Sequence, residues 1–255
     1  MTDDATNPGI SFQEEQPMSF FQRLTSAYFE PSKAFADVNR KPSWLVLFII
    51  LALLYMAMAF VVAVRIDREA LVRASIESYG AQITDEQMDQ IIASQSSSLA
   101  QYGGIISAPI SIIVIYLALA GIFVVLFMLT GASLNYKKAL AVTFWGLGPP
   151  AIIQAILSVL ILFLKDPDTI DVTQGVVMSN LGALVDRKAH PFMASIAGSI
   201  DVFSFWAMAL LATGIAAISD RKLTIKQAGV GVVILWVVYV LGKALISGGI
   251  RTLVS

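Results

Sequence analysis

From Ser43 to Val64 the sequence reads SWLVLFIILALLYMAMAFVVAV, with no charged residue. A helix needs about 20 apolar residues to cross roughly 30 Å of hydrocarbon. Backbone groups in lipid have no water to bond, so such a run folds as a helix. Four more runs share this character: about 105–129, 139–164, 193–219 and 227–250. Composition agrees, with 57% hydrophobic and 14% charged residues against about 25% charged in soluble domains. The mean hydropathy is +0.76. The expectation is an all-α, polytopic integral membrane protein with five transmembrane helices, and a lipid bilayer as its first partner.

Short basic turns join these runs at Asn135–Lys138 and Asp220–Lys226, and two longer loops, 65–104 and 165–192, fall on the opposite side. Of the 17 Lys and Arg, nine lie on the N-terminal side and seven on the other, with Lys243 inside a span. The totals barely differ, but the N-terminal side is denser, which places the N-terminus in the cytoplasm and the C-terminus outside. Arg65, Arg68 and Arg73 argue the other way. The acidic, polar start lacks a basic region followed by an apolar one, so no cleavable signal is expected. No Asn-x-Ser/Thr acceptor occurs, which fits a bacterial inner (plasma) membrane.

Residues 1–17 read as a disordered tail. Residues 18–42 read as cytoplasmic interfacial helices: Phe20, Phe21, Leu24, Tyr28 and Phe29 crowd one side. Pro31 then breaks the helix and Ser32 caps a second one carrying Phe35 and Val38. Within the first long loop, Thr84-Asp-Glu-Gln87 is a capping-box pattern, and Met88, Ile91 and Ile92 follow at helical spacing. One or two amphipathic helices are expected there, as a solvated linker or a partner-binding surface.

The stretch YFEPSKAFADVNRKPSW, with Pro31, Phe35, Pro42 and Trp44, resembles the entry to the Yip domain, the five-span domain named for Ypt/Rab-interacting proteins. SIDVFSFWAMALLATGIAAIS resembles that family's fourth span and GLGPP its proline-bearing third. The resemblance runs from about Phe20 to Ile250, and what it implies is a five-helix membrane domain over 43–250 with a cytoplasmic N-terminus. Eukaryotic members are linked to Rab GTPases and carry an Asp-Leu-Tyr-Gly-Pro-like motif before the first span. This chain lacks the motif, so the resemblance carries no GTPase binding.

Two features inside the spans invite a functional reading. Asp201 and Lys243 are intramembrane charges on the expected fourth and fifth helices. At about 1.5 Å per residue both lie roughly 10–12 Å below the outer boundary. Each unpaired charge costs about 2.5–3.5 kcal/mol at mid-helix. Three solutions stay open: an ion pair, separate accommodation with Lys243 snorkelling, or a proton- or ion-coupled site. Gly146, Gly148, Pro149 and Pro150 fall near the middle of the third span. The prolines withhold donors from the carbonyls of Trp145 and Gly146, so a kink or break is expected. Broken helices line substrate sites in transporters, and proline kinks also serve shape alone.

Enzymatic chemistry has no foothold. His190 is the single histidine, there is no cysteine, and no HExxH or phosphate loop is present. Asp166, Asp168 and Asp171 lack the glycine and terminal glutamate of a calcium loop and read as solvated. No cofactor or metal is expected, and no nucleic-acid partner either, since no basic stripe exists. The leading expectation is a non-enzymatic scaffold or accessory subunit that organises lipid or partner proteins, with a membrane protein or a second copy as partner. The alternative is a small-solute or ion transporter or channel-like protein using Asp201, Lys243 and the Gly146–Pro150 break.

Overall fold

Each long apolar run is helical in the computed structural model, which describes residues 16–78, 84–95, 98–166, 169–170, 175–187 and 189–254. All but two residues of the expected tail lie outside that set, as do Asp168, Asp171 and Lys188. Ten α-helices occur among the described residues: α1 Phe20–Phe29, α2 Pro31–Arg40, α3 Leu45–Arg65, α4 Arg68–Ser78, α5 Asp85–Gln95, α6 Ser98–Leu129, α7 Tyr136–Leu164, α8 Pro191–Ala197, α9 Val202–Ile218 and α10 Ile225–Val254. A 3-10 turn, Leu181–Leu184, precedes α8.

Among the described residues four helices are long and apolar enough to cross a membrane: Leu45–Arg65, Tyr102–Leu129, Tyr136–Leu164 and Ile225–Ser247. The expected fourth span, 193–219, is not one helix. Residues 198–201 separate the seven-residue α8 from the 17-residue α9. At about 1.5 Å per residue α9 is roughly 26 Å long, at the lower end of what a crossing takes. The reason for the interruption is chemical, and it lies at Asp201.

α7 is the central helix, packed against α3, α6 and α9 and touched by α1 and α2. α9 runs antiparallel to it, because Gly146 faces Leu211 and Gly214 faces Val142. These glycines are contact points. A Cβ on Gly214 would stand 2.6 Å from Val142 Cγ1 and 2.7 Å from Phe35 Cε1, and one on Gly148 would stand 2.8 Å from Leu47 Cδ2. Small residues let membrane helices approach closely. Gly131 does a different job: its φ of 82° ends α6, and the next amide returns to the Phe127 carbonyl at 3.0 Å, a glycine C-terminal stop.

The two N-terminal helices are built into the bundle. α2 lies on α9 and α7, burying Ala34, Phe35 and Val38 completely or nearly so. Pro31 is the first residue of α2, and its N-cap is Glu30 without a side-chain bond, so the expected Ser32 cap does not form. Proline suits a first helical position, where its missing N–H has no partner to lose. Arg23 is 3% exposed and Asp37 0%. Arg23 Nε donates to Asp37 Oδ2 at 2.7 Å, and its other nitrogens reach the Ser43 hydroxyl at 2.6 Å and the Lys41 carbonyl at 3.3 Å. The Met18 amide adds a bond to Asp37 Oδ1 at 3.1 Å. This junction ties α1, α2 and the start of α3 together. Tyr28 and Asn39 extend it to α7 and α9, bonding the Pro149 carbonyl at 3.0 Å and the Ala217 carbonyl at 2.9 Å.

At the other end of the bundle, Arg65 reaches the carbonyls of Phe163 and Lys165 and lies 5.8 Å from the Phe163 ring centre. The loop after α3 holds α4 and α5. Thr84 and Gln87 form the reciprocal capping bonds that start α5, at 3.0 and 3.3 Å.

Candidate functional site

Asp201 is the N-cap of α9. Its Oδ1 accepts from the amides of Phe203 at 2.8 Å and Ser204 at 3.2 Å. Its Oδ2 accepts from the Ser179 hydroxyl. A helix start leaves amides without partners, and aspartate is among the best residues to take them up. Its negative charge also complements the helix dipole. The acid is 7% exposed, yet its charge has three donors around it.

Ser179 is there because residues 179–181 run against 200–202. The Leu181 amide meets the Ile200 carbonyl at 3.2 Å, and the Val202 amide meets the Ser179 carbonyl at 3.3 Å. Asn180 and Asp201 thus form an isolated antiparallel bridge. Gly182 makes this approach possible, since a Cβ there would stand 3.0 Å from Gly198 Cα. The loop between α7 and α8 therefore folds back onto the helix interruption.

Lys243 takes another route. Its ammonium lies 6.0 Å from the Tyr239 ring centre, and Ser247 bonds its carbonyl at 3.0 Å. Ion pairs among the described residues include those of Arg23, Lys33, Arg40 and Arg73 with acids, and none links Asp201 to Lys243. The two charges that the sequence sets at one depth are served by different neighbours.

A cavity of about 590 Å³ opens at Asp201. Its walls come from α3, α6, α7 and α9, and the segment 175–180 covers one side. Polar groups enter it from Tyr55, Tyr116, Gln154, Ser158, Ser204 and Asp201. Pro150 also lines it, followed on the same face by Gln154 and Ser158 at four-residue spacing. The i, i+4 pair Gln154 and Ser158 was visible in the sequence as polar residues on one face of an apolar run, and it is the signal that sequence reasoning passed over. Tyr55 and Tyr116 carry no such mark, because single tyrosines in apolar helices are common.

The Gly146–Pro150 stretch stays inside α7, which runs unbroken from Tyr136 to Leu164. The expected kink or break does not interrupt the helix. Close packing explains how both prolines are held: Leu211 fills the side of Gly146 and Leu47 that of Gly148, while Tyr28 donates to the Pro149 carbonyl. Of the five residues from Gly146 to Pro150, Leu147 and Pro150 face the cavity. A layer of buried side chains, Leu47, Leu51, Phe144 and Trp145, lies one to two turns along the same helices towards the N-terminal junction. His190 precedes α8 as its N-cap without a side-chain bond, and no group of three or more metal-ligating residues occurs among the described residues.

Neither the curated proteins nor the solved structures yield a match to the chain. The family model of the Yip1 domain matches residues 25–246, a stretch that takes in the N-terminal hairpin from Thr25, the helices long enough to cross a membrane, and the capped α9. With that span matched, the chain belongs to the Yip1 domain family and is a multi-pass membrane protein.

Proposed function

We propose that this protein is a non-enzymatic scaffold or accessory subunit that organises membrane lipid or partner proteins from a fixed N-terminal platform. The observation that carries this is the placement of α1. Its inner face is held by Arg23 and Ala27 in the bundle, while Phe21 and Phe29 stand 76% and 79% exposed on the outer face. Together with Thr25 they form an i, i+4, i+8 stripe that an interface or a partner helix can cover. Family membership supports the membrane setting. The chain has no cysteine, so Thr25→Cys gives a single attachment point for a cross-linker in native membranes. One discrete cross-linked species, lost on Phe21→Ser, is expected. Only uncross-linked monomer, or a species indifferent to Phe21→Ser, would count against a partner surface.

The proposed topology is five crossings in a bacterial inner membrane, N-terminus cytoplasmic and C-terminus outside. In support, α9 returns from the Asp201 end to Asn39, whose side chain bonds Ala217, and α10 leaves again from there. An alkaline phosphatase fused after the last residue should be active, and a fluorescent cytoplasmic reporter at that point dark. The reverse pattern would sink the five-crossing count.

A second reading is passage of a small solute or ion by way of Asp201, Lys243 and the Gly146–Pro150 region. The cavity at Asp201 and Pro150 favours it, and the buried layer beyond the cavity opposes a continuous path. Flux into liposomes that Asp201→Asn abolishes is the result it requires.

A further inference from the structure

The cavity at Asp201 has a chemistry of its own. Its volume, about 590 Å³, falls within the roughly 300–1,000 Å³ of small-molecule sites. Among the described lining residues Asp201 is the only acid, and none is a Lys, Arg or His. Tyr55, Tyr116 and Phe203 supply aromatic rings, and Met58, Val62 and Leu147 supply aliphatic surface. An ionised carboxylate offers about four acceptor positions. Three are filled, two on Oδ1 and one on Oδ2, which leaves Oδ2 free to accept once more.

We propose that this cavity binds a small organic cation, with an ammonium N–H on Asp201 Oδ2 and an apolar or aromatic body against Tyr55, Tyr116 and Phe203. An anion would meet an uncompensated carboxylate. A neutral alcohol would forgo the charge-assisted bond, which is roughly twice as strong as a neutral one. A bare divalent ion would find one carboxylate and no second acid or histidine among the described lining residues, too few for its usual oxygen shell. Ring faces, by contrast, attract cations. The proposal requires neither the scaffold nor the passage reading, because a cavity that binds without transport satisfies it.

Three compounds of one shape test it on the full chain in lipid nanodiscs: phenethylamine hydrochloride, phenethyl alcohol and sodium phenylacetate, at matched ionic strength. Thermal unfolding is followed by tryptophan fluorescence. The amine should raise Tm saturably, and the alcohol and the acid should not. Asp201→Asn keeps the helix cap, since asparagine caps as well as aspartate, and should lose at least tenfold in amine affinity. Ala207→Phe fills the cavity while leaving the acid in place, and should lose the amine shift as well. Equal shifts from all three compounds, an amine shift that survives Asp201→Asn or Ala207→Phe, or no saturable shift with the amine would each overturn the proposal. Because Ala207→Phe and the compound series do not depend on the Asp201 variant, a folding failure of that variant leaves the test decisive.

Discussion

Removing Asp37 is the sharpest perturbation that this bundle offers. At the 2.7 Å between Arg23 Nε and Asp37 Oδ2, an effective dielectric of about 20 gives an attraction of about 6 kcal/mol. Desolvating each ion costs several kcal/mol, so the intact pair contributes little net stability. The asymmetry appears when one partner goes. Asp37→Ala would strand the Arg23 charge at 3% exposure and release the Met18 amide, which costs about 3–5 kcal/mol by analogy with other broken buried pairs. Replacing both, as Arg23→Met with Asp37→Leu, should recover most of that loss. Unfolding in mixed micelles reads the effect through Trp145, which lies 5.3 Å from the Arg23 guanidinium. Because the pair is buried, raising salt to about 0.5 M should leave the loss unchanged, whereas an exposed pair would be screened. An Asp37→Ala loss below about 1 kcal/mol, or a double variant as poor as the sum of the singles, would refute the reasoning.

Other substitutions follow from the same contacts. Gly214→Ala should destabilise by about 1–3 kcal/mol through overpacking against Phe35 and Val142, although alanine gains about 1 kcal/mol of helix propensity; a neutral result in thermal unfolding would mean that α9 can shift. Asp201→Asn and Lys243→Met should add within about 0.5 kcal/mol in the double variant, because their neighbours differ; a larger coupling would reinstate the pair. Burial raises the pKa of the Tyr28 hydroxyl. Its stability contribution is therefore full below the unfolded tyrosine value of about 10 and is lost as pH rises through the folded one. Tyr28→Phe should flatten that alkaline decline in micelle unfolding curves, and an unchanged decline would remove Tyr28 from its cause.

What the sequence revealed depended on whether a signal was local. The spans were legible because apolar length is a local property, and four of the five runs are helices that could each cross a membrane. Thr84 and Gln87 were legible for the same reason, since a cap is written in four consecutive residues. Asp201 was legible as an anomaly whose cause stayed open. A uniform hydropathy run gives no warning that the helix stops at Gly198 and restarts at Val202, so a capping acid looks like a charge buried in mid-span. The signal for restarting was present: an aspartate three residues after a glycine, followed by a second long apolar stretch.

Arg23 and Asp37 were invisible for the opposite reason. Each sits in a helix with other polar residues, where a charge is expected to face water, and Arg23 counts towards the basic side of the membrane like any other. Only the fold brings α1 and α2 down onto α7 and α9, and only then does the pairing become compulsory. Two apolar faces draw the hairpin inward, with Ala27, Phe35 and Val38 fully buried, and the same rotation carries Arg23 and Asp37 inside. The pair thus reads as a consequence of docking that then polices it. A hairpin docked in another register would bury the same guanidinium without its carboxylate, and the cost of about 3–5 kcal/mol would fall on the wrong arrangement. That selectivity suits a segment that presents Phe21 and Phe29 at a fixed angle, because a platform that slides cannot hold a surface in place.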